Sequence, residues 1–284
     1  MPAINKTICV CGAGTMGAGI TQAAAQQGFA VILYDLNPAV LQQARDQVEN
    51  NLQVLHEKQK LSLAEKASII ENIQWSGDIN QCRAEIIIEA IVENLPAKID
   101  LFKQLAAING PTAIYASNTS SLAITAIALA HPFPARVAGL HFFNPATLMK
   151  LVEVVQTIHS ADNTIQTLVQ LVKNLGKTPV VCNDAPGFIV NRVARPFYIE
   201  SLRLAEEGIP IPVIDALMTA AGFKMGPFRL MDLIGNDINY AVSCSIYEQM
   251  GEPARLKPSF IQQEKVAQGK LGRKSGAGYY TYSA

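Results

Sequence analysis

Apolar and polar residues in the first part of the chain follow the order strand, turn, helix, strand. Thr7 to Val10 is a short apolar run rich in β-forming residues, and Ala30 to Tyr34 is a second one. Between them lies a helical stretch, Ala18 to Gln27, which stops at Gly28, a residue suited to a helix C-cap. Two strands and a helix within about 30 residues predict a βαβ unit.

The alternation continues with longer segments. A polar region rich in Gln, Glu and Lys begins at Asn37 and Pro38 and predicts one long helical segment reaching about Asn72. Ile86 to Ala90 is almost continuously apolar, as expected of a strand covered on both faces. The remaining predicted strands are Ala113 to Ala116, Val137 to Phe142, Leu151 to Val155 and Thr178 to Cys182, and the helices among them are Lys98 to Ala107 and Asn163 to Asn174.

The pattern becomes purely helical after residue 185. The predicted helices there are Asn191 to Glu207, Pro212 to Ala221, Asp237 to Gln249 and Ser259 to Gln268. A chain of 284 residues is also long for one hydrophobic core. We therefore predict an α/β protein with two domains. Residues 1–185 should form a doubly wound, Rossmann-type sheet, and residues 186–284 a smaller all-helical domain.

Composition adds few constraints. The 23 Lys and Arg residues balance the 23 Asp and Glu residues, so charge gives no reason to expect a nucleic-acid or membrane partner. No apolar run is long enough to span a membrane, and the apolar stretch near the start is too short for a signal peptide. Five cysteines form no CxxC pair, so we expect free thiols, no metal site and a cytoplasmic location. They are Cys9, Cys11, Cys82, Cys182 and Cys244.

Three glycines follow the first predicted strand in the pattern GxGxxG. Gly12 allows a tight turn, Gly14 allows the backbone to approach a pyrophosphate, and Gly17 allows the helix to pack on the strand. Asp35 closes the second strand, where its carboxylate can bind both ribose hydroxyls of a dinucleotide. That carboxylate would repel a 2′-phosphate, so the pattern favours NAD over NADP. A glycine turn required only for packing is the alternative.

One histidine and one carboxylate have the positions of a catalytic pair. His141 stands where a predicted strand leaves the sheet, at the edge that faces a ligand in this type of fold. Glu153 lies inside the next apolar strand, where burial requires a partner. If Glu153 accepts a proton from one imidazole nitrogen, the other nitrogen can take a proton from a hydroxyl group. A core histidine, and Glu153 exposed on an edge strand, are the alternatives.

Small hydroxyl residues also follow a strand at this edge, in the stretch Ser117 to Ser121. Ser120 could bind a carbonyl, a hydroxyl or a nicotinamide. The same residues could equally cap the next helix.

Eight motifs together resemble the 3-hydroxyacyl-CoA dehydrogenases in order and spacing, from residue 6 to residue 282. They are GAGTMGAG, EAIVEN, SNTSS, GLHFFNP, MKLVEVV, PGFIVNR, MGP and LGRKSGAGYY. The length is similar to that of the bacterial 3-hydroxybutyryl-CoA dehydrogenases. The segment DLIGNDINYAVSCSIYEQM resembles the 3-hydroxyadipyl-CoA dehydrogenases. Thr147 stands where the family commonly has proline, which leaves the catalytic positions unchanged.

The resemblance implies NAD-dependent oxidation of a (S)-3-hydroxyacyl-CoA by a homodimer joined through its helical domains. It implies roles for the following residues: His141 and Glu153 as the catalytic pair; Ser120 and Asn191 near the reacting oxygen; Gly12, Gly14, Thr15, Met16 and Gly17 around the pyrophosphate; Asp35, Glu93, Lys98, Ser120, Asn144 and Lys274 at NAD; and Lys58 or Lys60 at CoA. A dehydrogenase of free hydroxy acids and a non-catalytic, crystallin-like NAD-binding protein are the alternatives.

Overall fold

Eight strands form one sheet in the first part of the protein, whose structure is a computed structural model describing residues 6–282. The strands are β1 (Thr7–Cys11), β2 (Ala30–Tyr34), β3 (Ile73–Ser76), β4 (Ile86–Glu89), β5 (Ile114–Ser117), β6 (Val137–Phe142), β7 (Leu151–Gln156) and β8 (Thr178–Asn183). Their order is β3-β2-β1-β4-β5-β6-β7-β8. The first six run parallel, β7 is antiparallel to β6, and β8 is parallel to β7.

Six helices cover the sheet. They are α1 (Thr15–Ala25), α2 (Pro38–Glu57), α3 (Leu63–Glu71), α4 (Leu95–Asn109), α5 (Ile124–Ala130) and α6 (Asp162–Asn174). The core contains fully buried side chains from the central strands, such as Val10, Leu33 and Ile88, together with apolar residues of α1, α2 and α6. This sheet confirms the predicted α/β fold class, in which helices cover both faces of parallel strands.

The chain divides into two units, one ending at Asp184 and the other beginning at Ala185. The second unit is helical and contains α7 (Val190–Glu206), α8 (Ile211–Ala220), α9 (Pro227–Ile234), α10 (Asn236–Gln249) and α11 (Phe260–Ala267). Its own core is built around Leu202, Phe228 and Met231, which are 1%, 0% and 0% exposed. Among residues 6–282 no helix has the length and apolar character needed to cross a membrane. The first five residues, which contribute to the expectation of no signal peptide, lie outside this range.

The prediction of one long helical segment from Pro38 to Asn72 is wrong. Two helices occupy this region, and the chain between them turns through Gln59, whose φ is +55°. Ser62 and Glu65 form a capping box, in which each side chain bonds the other residue's backbone N–H. A capping box starts a new helix, so the sequence contained this break and the polar composition concealed it.

Three short elements were not predicted. The strand β3 pairs with β2 at the edge of the sheet; its four residues alternate between apolar and polar, but the run is short and directly follows the polar helical region. The helix α5 is apolar in all but one residue and therefore lacks a polar face. The helix α9 starts with Pro227 directly after Gly226, and both residues are buried. The three elements have four, seven and eight residues, which is too short for periodicity to identify them with certainty.

The glycine turn after β1 is held by very close contacts. Gly12 has a φ of +102°, and a Cβ atom there would lie 2.6 Å from the carbonyl oxygen of Ala90. A Cβ atom at Gly17 would lie 1.7 Å from the carbonyl oxygen of Gly12. Around Gly14, in contrast, no atom lies within 4 Å of the Cβ position. Two of the three glycines are thus required for close packing of the backbone.

We expect Gly17→Ala to destabilise the protein by about 1–3 kcal/mol, because the added methyl group must displace the turn. Alanine in a helix normally stabilises relative to glycine, so the sign of this change is informative. Urea unfolding curves measure it. Gly14→Ala is the matched control and should change the free energy of unfolding by less than about 1 kcal/mol. Equal stability of the two variants would contradict the packing argument.

Candidate active site

Predicted site residues of the first unit lie at the ends of four strands, along one edge of the sheet. The glycine turn follows β1, Glu93 follows β4, Ser120 follows β5, and His141 lies near the end of β6. These parallel strands have their carboxyl ends at the same edge, on both sides of the point where strand order reverses between β1 and β4. Doubly wound sheets bind their ligands at this edge. The fold therefore brings these residues of the first unit together.

His141 and Glu153 form a buried pair. They lie opposite each other in the antiparallel register of β6 and β7, and Nδ1 of His141 is 2.7 Å from Oε2 of Glu153. The His141 residue is 5% exposed and Glu153 is 0% exposed. The alternative of Glu153 on an exposed edge strand is wrong, because β8 covers the far side of β7.

This bond determines the proton arrangement of the imidazole. An ionised carboxylate only accepts hydrogen bonds, so Nδ1 of His141 carries the proton that points to Glu153. In the neutral ring Nε2 is then a proton acceptor, as a general base requires. The carboxylate also stabilises the imidazolium ion that forms when Nε2 takes a proton.

Two of the other three histidines, His131 and His56, have structural surroundings. Burial lowers the pKa of His131 to about 4, and its ring packs against those of Tyr115 and Phe102. Nδ1 of His56 meets the carbonyl oxygen of Leu61 at 2.8 Å. Neither histidine faces a carboxylate as His141 does.

Glu93 organises the loop that follows β5. Its Oε1 accepts hydrogen bonds from the Thr119 and Ser121 hydroxyls and from the backbone N–H of Ser120, while its Oε2 lies 3.2 Å from Nζ of Lys98. Partial burial alone would raise the pKa of the Glu93 carboxyl. The Lys98 charge and the hydroxyl donors outweigh burial, so this pKa is lowered and Glu93 remains ionised. Glu93 thus holds Ser120 in place.

A second glutamate, Glu89, lies beneath this loop and was missed as a site residue. Its carboxylate is fully buried and accepts hydrogen bonds from Nζ of Lys98 at 2.6 Å, the hydroxyl of Ser117 at 2.6 Å and the N–H of Ile91 at 2.8 Å. Lys98 is itself only 1% exposed. The signal was present in the sequence, since Glu89 interrupts an apolar strand just as Glu153 does.

The end of β6 is fixed by two polar contacts. Oδ1 of Asn118 accepts a hydrogen bond from the backbone N–H of Phe142, with an N to O distance of 2.9 Å. This bond joins the loop after β5 to the strand that carries His141. Lys177, 9% exposed, donates to the carbonyl oxygens of Ala146 and Met149. Burial lowers the pKa of Lys177, and the nearby Lys150 charge adds to this effect. These contacts hold the turn that begins at the exposed Asn144.

The glycine turn fits a dinucleotide. Gly14 is the N-cap of α1 and provides no side-chain cap, and the space around it is open, so the first backbone N–H groups of α1 can bind phosphate oxygens. Thr15 and Met16 are the first residues of that helix. Asp35 accepts the N–H groups of Ala13 and Asn37, one on each carboxylate oxygen. Each oxygen retains a further lone pair for a ribose hydroxyl.

Four predicted residues lie apart from this cluster or in the other unit. Lys58 caps the end of α2 and Lys60 follows it in the turn before α3, so neither is inside a long helix as the sequence suggested. Both are exposed. Asn191 lies in the first turn of α7, and Lys274 pairs with Asp237 at 2.7 Å. These last two belong to the second unit.

Comparison with protein families covers almost the whole chain. The model described as "3-hydroxyacyl-CoA dehydrogenase, NAD binding domain" matches residues 7–185, and "3-hydroxyacyl-CoA dehydrogenase, C-terminal domain" matches residues 187–282. The chain is 46% identical to 3-hydroxyadipyl-CoA dehydrogenase of Escherichia coli over 98% of its length, but it spans only 59% of that relative. It is 41% identical to a probable 3-hydroxybutyryl-CoA dehydrogenase of Deinococcus radiodurans, covering 96% of this chain and 99% of the relative.

Solved structures agree with these matches. The crystal structure of (S)-3-hydroxybutyryl-CoA dehydrogenase from Ralstonia eutropha is similar with a TM-score of 0.93 and 38% identity, covering 98% of this chain and 99% of that one. The matches confirm the resemblance drawn from the eight motifs.

We expect kcat/KM to be at least tenfold higher with NAD(H) than with NADP(H), about 1.4 kcal/mol of discrimination, because the Asp35 carboxylate repels a 2′-phosphate. Asp35→Asn keeps the side-chain shape and removes the charge, so it should lower the ratio of kcat/KM with NAD(H) to kcat/KM with NADP(H). Initial rates with both cofactors measure it, and Asp46→Asn, on the exposed face of α2, is the control. Equal turnover of the unchanged chain with NADP(H) would contradict the assignment.

Proposed function

This chain belongs to the 3-hydroxyacyl-CoA dehydrogenase family, whose reaction is the NAD-dependent oxidation of 3-hydroxyacyl-CoA, and we propose that its own substrates are short (S)-3-hydroxyacyl-CoA thioesters such as 3-hydroxybutyryl-CoA. It is an oxidoreductase with NAD as its cofactor. The observation that carries the proposed mechanism is the 2.7 Å pair of His141 and Glu153 at the ligand-binding edge of the sheet.

His141 is the general base in this proposal. The C3 hydroxyl of the substrate gives its proton to Nε2 of His141, while Glu153 holds the ring through Nδ1 and stabilises the positive charge. NAD, when bound, supplies the acceptor for the hydride that leaves C3. In the reverse direction His141 returns the proton to a 3-keto oxygen. Both protein groups are already aligned, so substrate binding need not reorganise them.

The remaining site residues bind and orient. The glycine turn with Thr15 and Met16 holds the pyrophosphate, and Asp35 binds the ribose. Glu93 and Lys98 hold the loop that presents Ser120 to the cofactor and to the reacting oxygen, a role supported by the bonds from Glu93 to that loop. Asn144 and Lys274 complete the NAD contacts, Asn191 contacts the substrate, and Lys58 or Lys60 meets CoA.

A 3-hydroxyadipyl-CoA is the second candidate substrate. One observation favours it, namely the 46% identity to the Escherichia coli enzyme of that name. Two cations of the second unit, Lys224 and Arg229, are exposed near the start of α9, and the guanidinium of Arg229 stacks on the ring of Tyr280 at 4.3 Å. Either cation could pair with a terminal carboxylate that short neutral acyl chains lack.

The assembly and cellular setting complete the proposal. Exposed apolar side chains of the second unit support a homodimer joined through this unit; among them are Leu217 on α8, Phe223 between α8 and α9, and Ile238 on α10. Five free cysteines support a reducing, cytoplasmic compartment. The reaction fits the β-oxidation of fatty acids, or a step on an open-chain acyl-CoA in the breakdown of aromatic acids.

We expect His141→Gln to lower kcat by roughly 10²–10⁴-fold, because it removes the general base. NAD affinity should hardly change, since the proposed dinucleotide contacts lie elsewhere. Stopped-flow reduction of NAD and fluorescence titration measure the two quantities. His159→Gln, in a turn away from this edge, is the matched control and should behave like the unchanged protein.

Glu153→Gln keeps the shape of the pair and removes its charge. The acid limb of the pH–rate profile should move to lower pH, because the imidazolium ion loses its stabilising carboxylate, and kcat should fall less than in His141→Gln. Circular dichroism must first show that both variants fold. If His141→Gln is folded and its kcat is close to that of the unchanged protein, His141 is not the general base. An unchanged pH–rate profile in Glu153→Gln would contradict only the proposal that Glu153 stabilises the imidazolium ion of His141.

We expect acetoacetyl-CoA to be reduced well and C10 substrates poorly. Initial rates with C4 to C10 3-hydroxyacyl-CoA and with 3-hydroxyadipyl-CoA decide the substrate class. If 3-hydroxyadipyl-CoA is preferred, the double variant Lys224→Ala with Arg229→Ala should lose that preference, whereas Arg255→Ala with Lys257→Ala, an equal change of charge at exposed positions, should keep it. Turnover of free hydroxy acids but not of CoA thioesters would contradict the proposed substrate.

A further inference from the structure

Three of the five cysteine thiols meet beside the first strand of the sheet. Cys9 and Cys11 project from the same face of β1, and Cys82 follows the short 3-10 turn Ile79–Gln81. Their sulfur atoms all lie within 4.8 Å of one another, and all three residues are fully buried. The sequence indicated no such site because a long stretch of chain separates Cys82 from the other two. The proposed reaction does not use these thiols.

The distances suit three bonds to one central atom. Bonds of about 2.3 Å from a metal to thiolate sulfur place neighbouring sulfur atoms roughly 3.5–4 Å apart. Cys9 and Cys11 already have this separation, since their sulfur atoms are 3.7 Å apart. Cys82 needs to approach by no more than about 1 Å, because all three sulfur atoms already lie within 4.8 Å of one another. Soft, thiophilic ions are the ones that select such ligands.

Charge decides among these ions. Three thiolates carry three negative charges, so a monovalent ion would leave two of them, a divalent ion one, and a trivalent ion none. Net charge is costly in a fully buried site. Among the described residues, the charged side chain that acts on Cys82 is the carboxylate of Asp78, which disfavours further negative charge. Only a trivalent centre gives a neutral complex here.

We propose that Cys9, Cys11 and Cys82 form a binding site for trivalent arsenic, taken up as arsenous acid. Three arsenic–oxygen bonds break and three arsenic–sulfur bonds form. Each departing hydroxide takes the proton of the incoming thiol, so three water molecules leave. Arsenic remains trivalent throughout, and the step requires neither an oxidant nor a reductant. The product is neutral and can remain buried.

Access requires only a small local opening. Cys82 is buried, but its neighbours Gln81 and Arg83 are exposed, so one short turn separates it from solvent. Cys82 is therefore the first sulfur that arsenous acid reaches, and the two thiols on β1 follow.

Native mass spectrometry of the full chain with arsenite tests the site. Reduction uses a phosphine, because dithiols compete for arsenic. One arsenic atom should be gained and three hydrogens lost, and only Cys182 and Cys244 should then react with an alkylating reagent. The double variant Cys182→Ser with Cys244→Ser is the matched control and should bind equally. Cys82→Ser keeps the shape of the site and should weaken arsenite binding at least tenfold.

Thermal unfolding provides a second readout that does not depend on enzyme activity. Arsenite should raise the Tm of the unchanged protein and of the control double variant, because it binds the folded state, and at the same arsenite concentration it should raise the Tm of Cys82→Ser and Cys82→Ala by less. Loss of only two hydrogens, unchanged arsenite affinity in both Cys82 variants, or attachment at Cys182 or Cys244 would overturn the proposal. Equal protection of the three thiols by Zn²⁺ would overturn the assignment of a trivalent ion.

Discussion

Two glutamates, Glu89 and Glu153, carry carboxylates into parts of the sheet that solvent does not reach. An ionised carboxylate is stable there only when hydrogen-bond donors or a positive charge surround it. Lys98, Ser117 and the backbone of Ile91 supply these donors to Glu89, and the ring of His141 supplies one to Glu153. Each buried acid thereby fixes the groups around it, so the loops after β4 and β5 and the imidazole acquire defined positions before any ligand arrives.

The two acids are also connected to each other through the backbone. The N–H of Asn118 donates to the carbonyl oxygen of Glu89, and the side chain of Asn118 accepts the N–H of Phe142, next to His141. Ser120 and His141 are thus attached to one hydrogen-bonded frame. Ser120 is proposed to bind the substrate oxygen, and His141 to take its proton. Because both belong to the same frame, the distance between them is fixed, as an oriented reaction requires.

Much of the first unit could be predicted because its strands are short, apolar and bounded by glycine or polar residues. β2 and β6 have the predicted limits, and the strand positions bring His141 and Glu153 face to face. The break between α2 and α3 was hidden by a uniformly polar composition. Glu89 and the meeting of Cys82 with Cys9 and Cys11 depend on side chains that approach from distant parts of the sequence, and periodicity contains no information about such contacts.

The direct pairing of His141 with Glu153 across β6 and β7 restricts how the chain can change in length. Successive residues of a strand point to opposite faces, so one residue added or removed between the start of β7 and Glu153 would turn this carboxylate to the other side of the sheet. The connection from 143 to 150 is mostly exposed, yet Nζ of Lys177 donates hydrogen bonds to its carbonyl oxygens at Ala146 and Met149. Insertions and deletions in this region should therefore be confined to the few positions between these anchors, while exposed side chains other than that of Asn144 can be substituted.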